Sequence, residues 1–135
     1  MDIKQREALI EQAELAYIDL MGQLDHLFEC ANFYLQRYPS FTLSEDRKQL
    51  ELKRTVEELG TLPTQLADVI KKWKTGQPQL LSPHGVEIHL LNEIWVNVQA
   101  LVYFFISHEI DLYPFRVSRA KVAFQALVQA NRLIV

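Results

Sequence analysis

One stretch of the sequence places polar side chains among apolar ones at helical spacing. His89, Glu93 and Asn97 are four residues apart, and Asn92 lies beside them. Residues four apart share one face of an α-helix, so these side chains form a polar stripe. A histidine one turn from a carboxylate could work as an acid–base pair, or the stripe could line a groove that receives a partner. The alternative is that the stripe is the solvent side of the helix.

A second cluster surrounds Trp73 with lysines. An aromatic ring among cations can stack on a base or lie beside phosphates. The C-terminal segment adds arginines and has no acidic residue after Asp111. The favoured alternative is that Trp73 continues an apolar helix face, while the lysines near the end of that helix favour its dipole. The candidate nucleic-acid contacts are Lys71, Lys72, Lys74, Arg116 and Arg119.

The sequence lacks the spacings of common catalytic and metal sites. It contains no Glu-x-x-His pair, and His84 and His89 are five residues apart, whereas helical zinc sites use four. His26 and His108 are isolated in the sequence. Cys30 is the only cysteine, which excludes an intramolecular disulfide and favours an inert, buried thiol. We therefore expect no metal and no cofactor, and we favour a protein that is not an enzyme.

The abundance of helix-forming sequence is similar to that of the small helical HEPN ribonucleases. That family carries an arginine followed four to six residues later by a histidine on one helix. No histidine follows an arginine at that distance here. The resemblance therefore transfers no site residue, and a HEPN-like protein without the ribonuclease motif is one of the alternatives.

Composition and charge indicate a single folded domain over residues 1–135. The chain has a net charge of −3, and residues 1–60 carry 7 basic and 12 acidic residues. A dedicated nucleic-acid binder usually has a strong basic excess instead. The N-terminus is charged from Asp2, and the longest apolar run, Ala100 to Ile106, is shorter than the roughly 20 residues that a membrane span needs. We expect a cytoplasmic protein that does not bind membranes.

Hydrophobic periodicity is helical almost throughout, which predicts an all-α, single-domain bundle of four to five helices. The first helix is long, from about residue 3 to residue 37, with Gly22 as a point where it could bend. A second helix ends with Gly60 as its C-cap, and a third runs from about Pro63 to Gly76. A fourth opens at Ser82-Pro83 and is apolar enough to be central and largely buried. The last follows Tyr113-Pro114.

A helical chain without a reactive constellation favours a non-catalytic protein–protein interaction module. It would be an adaptor, a chaperone or a neutralising partner, and it would bind another protein or itself as a homo-oligomer. The predicted partner anchors are the aromatics near one loop: Phe104, Phe105, Tyr113 and Phe115. Such rings more commonly fill the core. The alternatives are a nucleic-acid-associated subunit and an enzyme that uses the His89/Glu93 stripe.

Overall fold

A computed structural model of the protein describes residues 2–37, 43–75 and 84–134. These residues form helices and no strand, so the predicted all-α bundle is confirmed. The predicted helix end at Gly76 and the predicted helix start at Ser82-Pro83 lie outside the described residues. The four helices are α1 (Ile3–Arg37), α2 (Leu43–Thr75), α3 (His84–Ser107) and α4 (Val117–Ile134).

The start of α1 is fixed by Asp2 and Gln5. The Asp2 carboxylate accepts a hydrogen bond from the Gln5 backbone N–H at 2.7 Å, and the Gln5 side-chain oxygen accepts one from the Asp2 backbone N–H at 3.2 Å. This reciprocal pair is a capping box, which satisfies donors that the first turn leaves free. The helix then continues through Gly22 without a break. Its buried face consists of Ile10, Ala13, Ala16, Leu20, Leu24, Leu27 and Ala31.

The predicted helix end at Gly60 is wrong, because α2 is one helix of 33 residues with Pro63 inside it. A proline within a helix costs about 3 kcal/mol, since it removes a donor and crowds the preceding turn. Each large side chain that becomes fully buried contributes roughly 1.5–3 kcal/mol. The free energy gained by burying one continuous apolar face therefore outweighs the cost of the proline. That buried face consists of Leu52, Leu59, Leu62, Leu66, Ile70 and Trp73.

Each helix runs antiparallel to the next, which gives an up-down-up-down four-helix bundle. Arg6 donates a hydrogen bond to the backbone carbonyl of Trp73, and the Tyr17 hydroxyl lies 3.4 Å from the carbonyl of Pro63, so α1 and α2 run in opposite directions. The Trp95 ring of α3 stacks on Phe124 of α4, with the centroids 4.9 Å apart. α1 packs mainly against α4 and α2, and α3 lies diagonally across the bundle from it.

One side of α3 is exposed, which corrects the prediction of a central, largely buried helix. Its inner face is buried, but Val96, Tyr103 and Ile106 lie at the surface. The segment Ile88–Ser107 is long and apolar enough to cross a membrane by length and composition, and 33% of it is buried in the bundle. Core helices of soluble proteins meet the same two criteria.

Candidate functional site

A cavity of about 580 Å³ lies where the second half of α1 meets the connection between α3 and α4. We call it the loop cavity. Its rim carries two exposed aromatic side chains, since Phe33 is 51% and Tyr113 is 71% exposed. Its described lining consists of His26, Glu29, Cys30, Phe33, Tyr34, His108, Glu109, Ile110, Asp111, Tyr113 and Pro114.

The α3–α4 connection is a well-defined turn that presents Glu109 to this cavity. Glu109 has a φ of 57°, and its N–H bonds the carbonyl of Ile106 at 3.0 Å. The N–H of Ile110 bonds the carbonyl of Phe105 at 2.9 Å. The two bonds form a Schellman motif, which usually places a glycine in the left-handed position. A glutamate occupies that position here, against its backbone preference.

The rest of the connection is fixed by side chains at both of its ends. The Asp111 carboxylate accepts a hydrogen bond from the Tyr113 N–H at 3.0 Å, and the Tyr113-Pro114 peptide bond is cis. Phe115 is buried in the core. The buried side-chain oxygen of Gln23 accepts a hydrogen bond from the Arg116 N–H at 2.7 Å, which ties the start of α4 to the middle of α1.

The Cys30 thiol faces backbone carbonyls of this connection. Its sulfur lies 3.8 Å from the carbonyl oxygen of Asp111 and 3.9 Å from that of Leu112. Burial raises the pKa of the Cys30 thiol above its ordinary value, and the nearby carboxylates of Asp111 and Glu29 raise it further. The thiolate is the nucleophilic form, so these surroundings suppress its reactivity at neutral pH. This geometry does not make Cys30 a catalytic nucleophile.

Two histidines that are far apart in the sequence, His26 and His108, both line the loop cavity. The His108 Nδ1 lies 2.8 Å from the carbonyl oxygen of Phe104, so this nitrogen carries the proton that it donates. The His108 ring stacks on the Phe104 ring with the centroids 4.2 Å apart. The Nδ1 of His26 is buried and has no hydrogen-bond partner among the described residues. No group of three or more possible ligands in the described part of the chain could hold a metal ion.

The four aromatic residues predicted as partner anchors have different positions. Phe105 and Phe115 are buried in the core, so they are not available to a partner. Phe104 is half-buried, and its ring meets that of Tyr34 edge to face, with the centroids 5.2 Å apart. Tyr113 is the exposed member of the four, and it lines the loop cavity.

The predicted polar stripe lies along the outer side of α3. His89, Asn92 and Glu93 are exposed, and Asn97 is half-buried. The Asn97 amide donates a hydrogen bond to the backbone carbonyl of Glu93 at 2.8 Å, so it pairs within its own helix. The stripe therefore lines none of the described cavities, and this position favours the solvent-face interpretation.

The predicted basic contacts do not form one patch. Lys74 forms an ion pair of 2.7 Å with Glu14, whereas Arg116 lies beside Gln23, nine residues further along α1. Nine residues of helix span about 14 Å. Trp73 is fully buried in the core and cannot stack on a base. Lys71 and Arg119 are exposed, and Lys72 is half-buried.

The loop cavity is thus acidic and aromatic, and it is built on rigid helices. No protein-family model matches the chain, and no curated protein and no solved structure matches it significantly. Three carboxylates line the cavity, and no lysine or arginine is among its described lining residues.

Proposed function

We propose that the protein is a non-catalytic protein–protein interaction module of the cytoplasm, an adaptor, chaperone or neutralising partner, that binds a segment of another polypeptide in the loop cavity. The observation that carries the proposal is a cavity of about 580 Å³ with the exposed rings of Phe33 and Tyr113 on its rim. Aromatic side chains dominate the binding energy of many interfaces, and a cavity beside them can receive a partner side chain.

The charge of the cavity defines the chemistry of the partner. Glu29, Glu109 and Asp111 supply negative charge, and the rings of Phe33 and Tyr113 supply the faces that attract cations. A lysine or arginine side chain satisfies both features. The partner segment therefore carries at least one basic residue that enters the cavity.

The state of the ionisable groups at the cavity supports binding rather than catalysis. The raised pKa of Cys30 keeps its thiol protonated at neutral pH. The Nδ1–H of His108 is engaged by the carbonyl of Phe104, and the ring is held against two aromatic neighbours, Phe104 and Tyr34. These contacts stabilise the shape of the cavity.

The test is capture of a partner from lysate of the source organism with the full chain and with two matched tyrosine variants. Tyr113→Ala removes an exposed ring at the loop cavity, while Tyr103→Ala removes an exposed ring from α3 away from it. We expect one polypeptide, identified by mass spectrometry, to bind the unaltered chain and the Tyr103→Ala variant. Its affinity for Tyr113→Ala falls by roughly tenfold or more, as for an aromatic anchor. Equal binding by both variants contradicts the proposal.

The role of charge is tested with the same captured polypeptide. Glu109→Gln removes one negative charge from the cavity, and Glu93→Gln removes one from the solvent side of α3. Only Glu109→Gln is expected to weaken binding, and added salt is expected to weaken binding to the unaltered chain. The absorbance ratio of the eluate, 260 to 280 nm, checks the nucleic-acid alternative. Nucleic acid that elutes with salt in place of a polypeptide overturns the proposal.

A further inference from the structure

A second surface, separate from the proposed partner site, runs along α1 and α4. The groove between these helices has a volume of about 600 Å³, and we call it the α1–α4 groove. Three large aliphatic side chains on it are mostly exposed, since Leu15 is 59%, Ile18 is 63% and Val122 is 67% exposed. His26 is the only described residue that lines both this groove and the loop cavity.

The two helices of this groove carry opposite charge. α1 has six acidic and three basic residues, whereas α4 has three basic residues and no acidic one. Asp19 and Arg119 both line the groove, and both are exposed. Among the described residues, no ion pair joins these two side chains. Each is therefore free to pair with a group of opposite charge on another molecule.

The two helices also run in opposite directions. Gln23 of α1 meets Arg116 just before α4 begins, and Leu133 near the end of α4 lies with Gln5 and Ala8 near the start of α1. A second copy can lie face to face on this groove by a twofold rotation in one of two ways. If the axis is parallel to the helices, α1 lies on the partner's α4 at the same height. If the axis is perpendicular to them, α1 lies on the partner's α1.

Charge distinguishes these two arrangements. The perpendicular axis places an acidic helix on an acidic helix and a basic one on a basic one, and like charges across an interface are costly. With the parallel axis, the acidic α1 of each copy lies on the basic α4 of the other copy. It also brings the apolar level of Leu15, Ile18 and Val122 onto the same level of the second copy, which removes these side chains from water.

We propose that the occupant of the α1–α4 groove is a second copy of this chain, in a symmetric homodimer in which α1 of each copy packs antiparallel on α4 of the other. Asp19 of each copy then faces Arg119 of the other. The interface is isologous, so each pair of contacts occurs twice. The loop cavity stays open in this dimer, apart from the shared residue His26.

The oligomeric state of the full chain tests this proposal, by sedimentation equilibrium from about 1 to 100 μM, the range that detects micromolar dissociation constants. We expect the unaltered chain to approach twice its 15.8 kDa mass. Ile18→Glu is expected to remain monomeric. The control Val96→Glu, at an equally exposed aliphatic position on α3, is expected to dimerise. Far-UV circular dichroism and thermal unfolding confirm that each variant is folded.

A charge exchange tests the arrangement of the helices. Asp19→Arg and Arg119→Asp each place like charges together and are expected to weaken dimerisation by roughly tenfold or more. The double variant restores opposite charges across the interface and is expected to dimerise again. A monomeric unaltered chain, an Ile18→Glu variant that still dimerises, or a double variant that stays as weak as the single ones overturns the proposal. Binding of the captured polypeptide at the loop cavity is measured separately, so either proposal can fail alone.

Discussion

At the scale of single residues, the pKa of the Cys30 thiol depends on burial and on the carboxylates of the loop cavity. Burial, Asp111 and Glu29 all raise the pKa of its thiol, with burial as the largest cause. A raised pKa lowers the thiolate fraction at neutral pH, so alkylation is slow there and accelerates as the pH rises toward the pKa. We expect Cys30 to react with iodoacetamide more slowly at neutral pH than the same cysteine in the urea-unfolded chain, as followed by mass spectrometry.

The contribution of the carboxylates is separable from that of burial. Asp111→Asn keeps a side-chain oxygen for the hydrogen bond from Tyr113 and removes the charge. It is expected to lower the pKa of Cys30 and to increase the alkylation rate at mildly alkaline pH. The control Asp68→Asn removes an exposed charge from α2 and leaves the rate unchanged. An alkylation rate that is unchanged in Asp111→Asn would show that this carboxylate does not raise the pKa of the thiol.

At the scale of elements, α2 provides the clearest test of how this chain folds. Gly60 lies inside the helix, and a Cβ built there meets no atom within 4 Å. Alanine is more favourable than glycine in a helix interior by about 1 kcal/mol. Gly60→Ala is therefore expected to raise the free energy of unfolding by about that amount, as measured by urea denaturation.

The opposite sign is expected if Gly60 ends a helix in the left-handed conformation, because alanine is disfavoured there. The control Glu58→Ala exchanges two good helix formers at an exposed position in the same turn, so its stability stays close to that of the unaltered chain. Destabilisation by Gly60→Ala would contradict the continuous helix.

The same helix shows which parts of the fold the sequence could predict. Gly60 and Pro63 are local signals for a helix end, but the spacing of Leu59, Leu62 and Leu66 continues across them. The burial of that face decides the outcome, and the burial depends on the neighbouring helices. The start of α1 at about residue 3 was predicted, and the structure adds the capping box of Asp2 and Gln5 that fixes it.

The loop cavity could not be predicted in the same way. Its two halves are residues 26–34 and 108–114, which are about eighty positions apart in the chain. His26 and His108 are isolated in sequence, and they line one cavity because the second half of α1 lies beside the end of α3 and the connection that follows it. A cluster of aromatics indicated the loop that carries Tyr113. The sequence could not distinguish that exposed ring from the buried ring of Phe115.

At the scale of the whole molecule, the two proposed surfaces divide the bundle between two kinds of contact. In these proposals, the α1–α4 groove joins two copies of this chain, and the loop cavity binds a different chain. A dimer then presents two loop cavities. If two basic segments on one partner can reach both, the second binding event becomes intramolecular and the apparent affinity rises without a new contact.

Helix α3 combines an apolar segment with an exposed stripe of polar residues. The segment Ile88–Ser107 has the length and composition of a membrane span. In the bundle, Ile94, Leu101 and Phe105 are buried against the other helices, whereas Val96, Tyr103 and Ile106 are exposed. The exposed side carries His89, Glu93 and their polar neighbours, and a charged residue within a membrane span costs about 2.5–3.5 kcal/mol. We therefore expect α3 to stay packed in the bundle.

We accordingly expect the protein to stay in the supernatant when a cell lysate is centrifuged at high speed without detergent. The variant Glu93→Leu distinguishes a helix packed in the bundle from a helix in a membrane. It replaces the charged residue of the polar stripe, so it makes α3 more apolar but leaves its buried face intact. If α3 is packed in the bundle, the variant stays in the supernatant. Its thermal unfolding then changes little, since exposed substitutions alter stability by about 0.5 kcal/mol or less. Recovery of the unaltered chain in the pellet, resistant to alkaline carbonate, would show instead that α3 leaves the bundle and spans a bilayer.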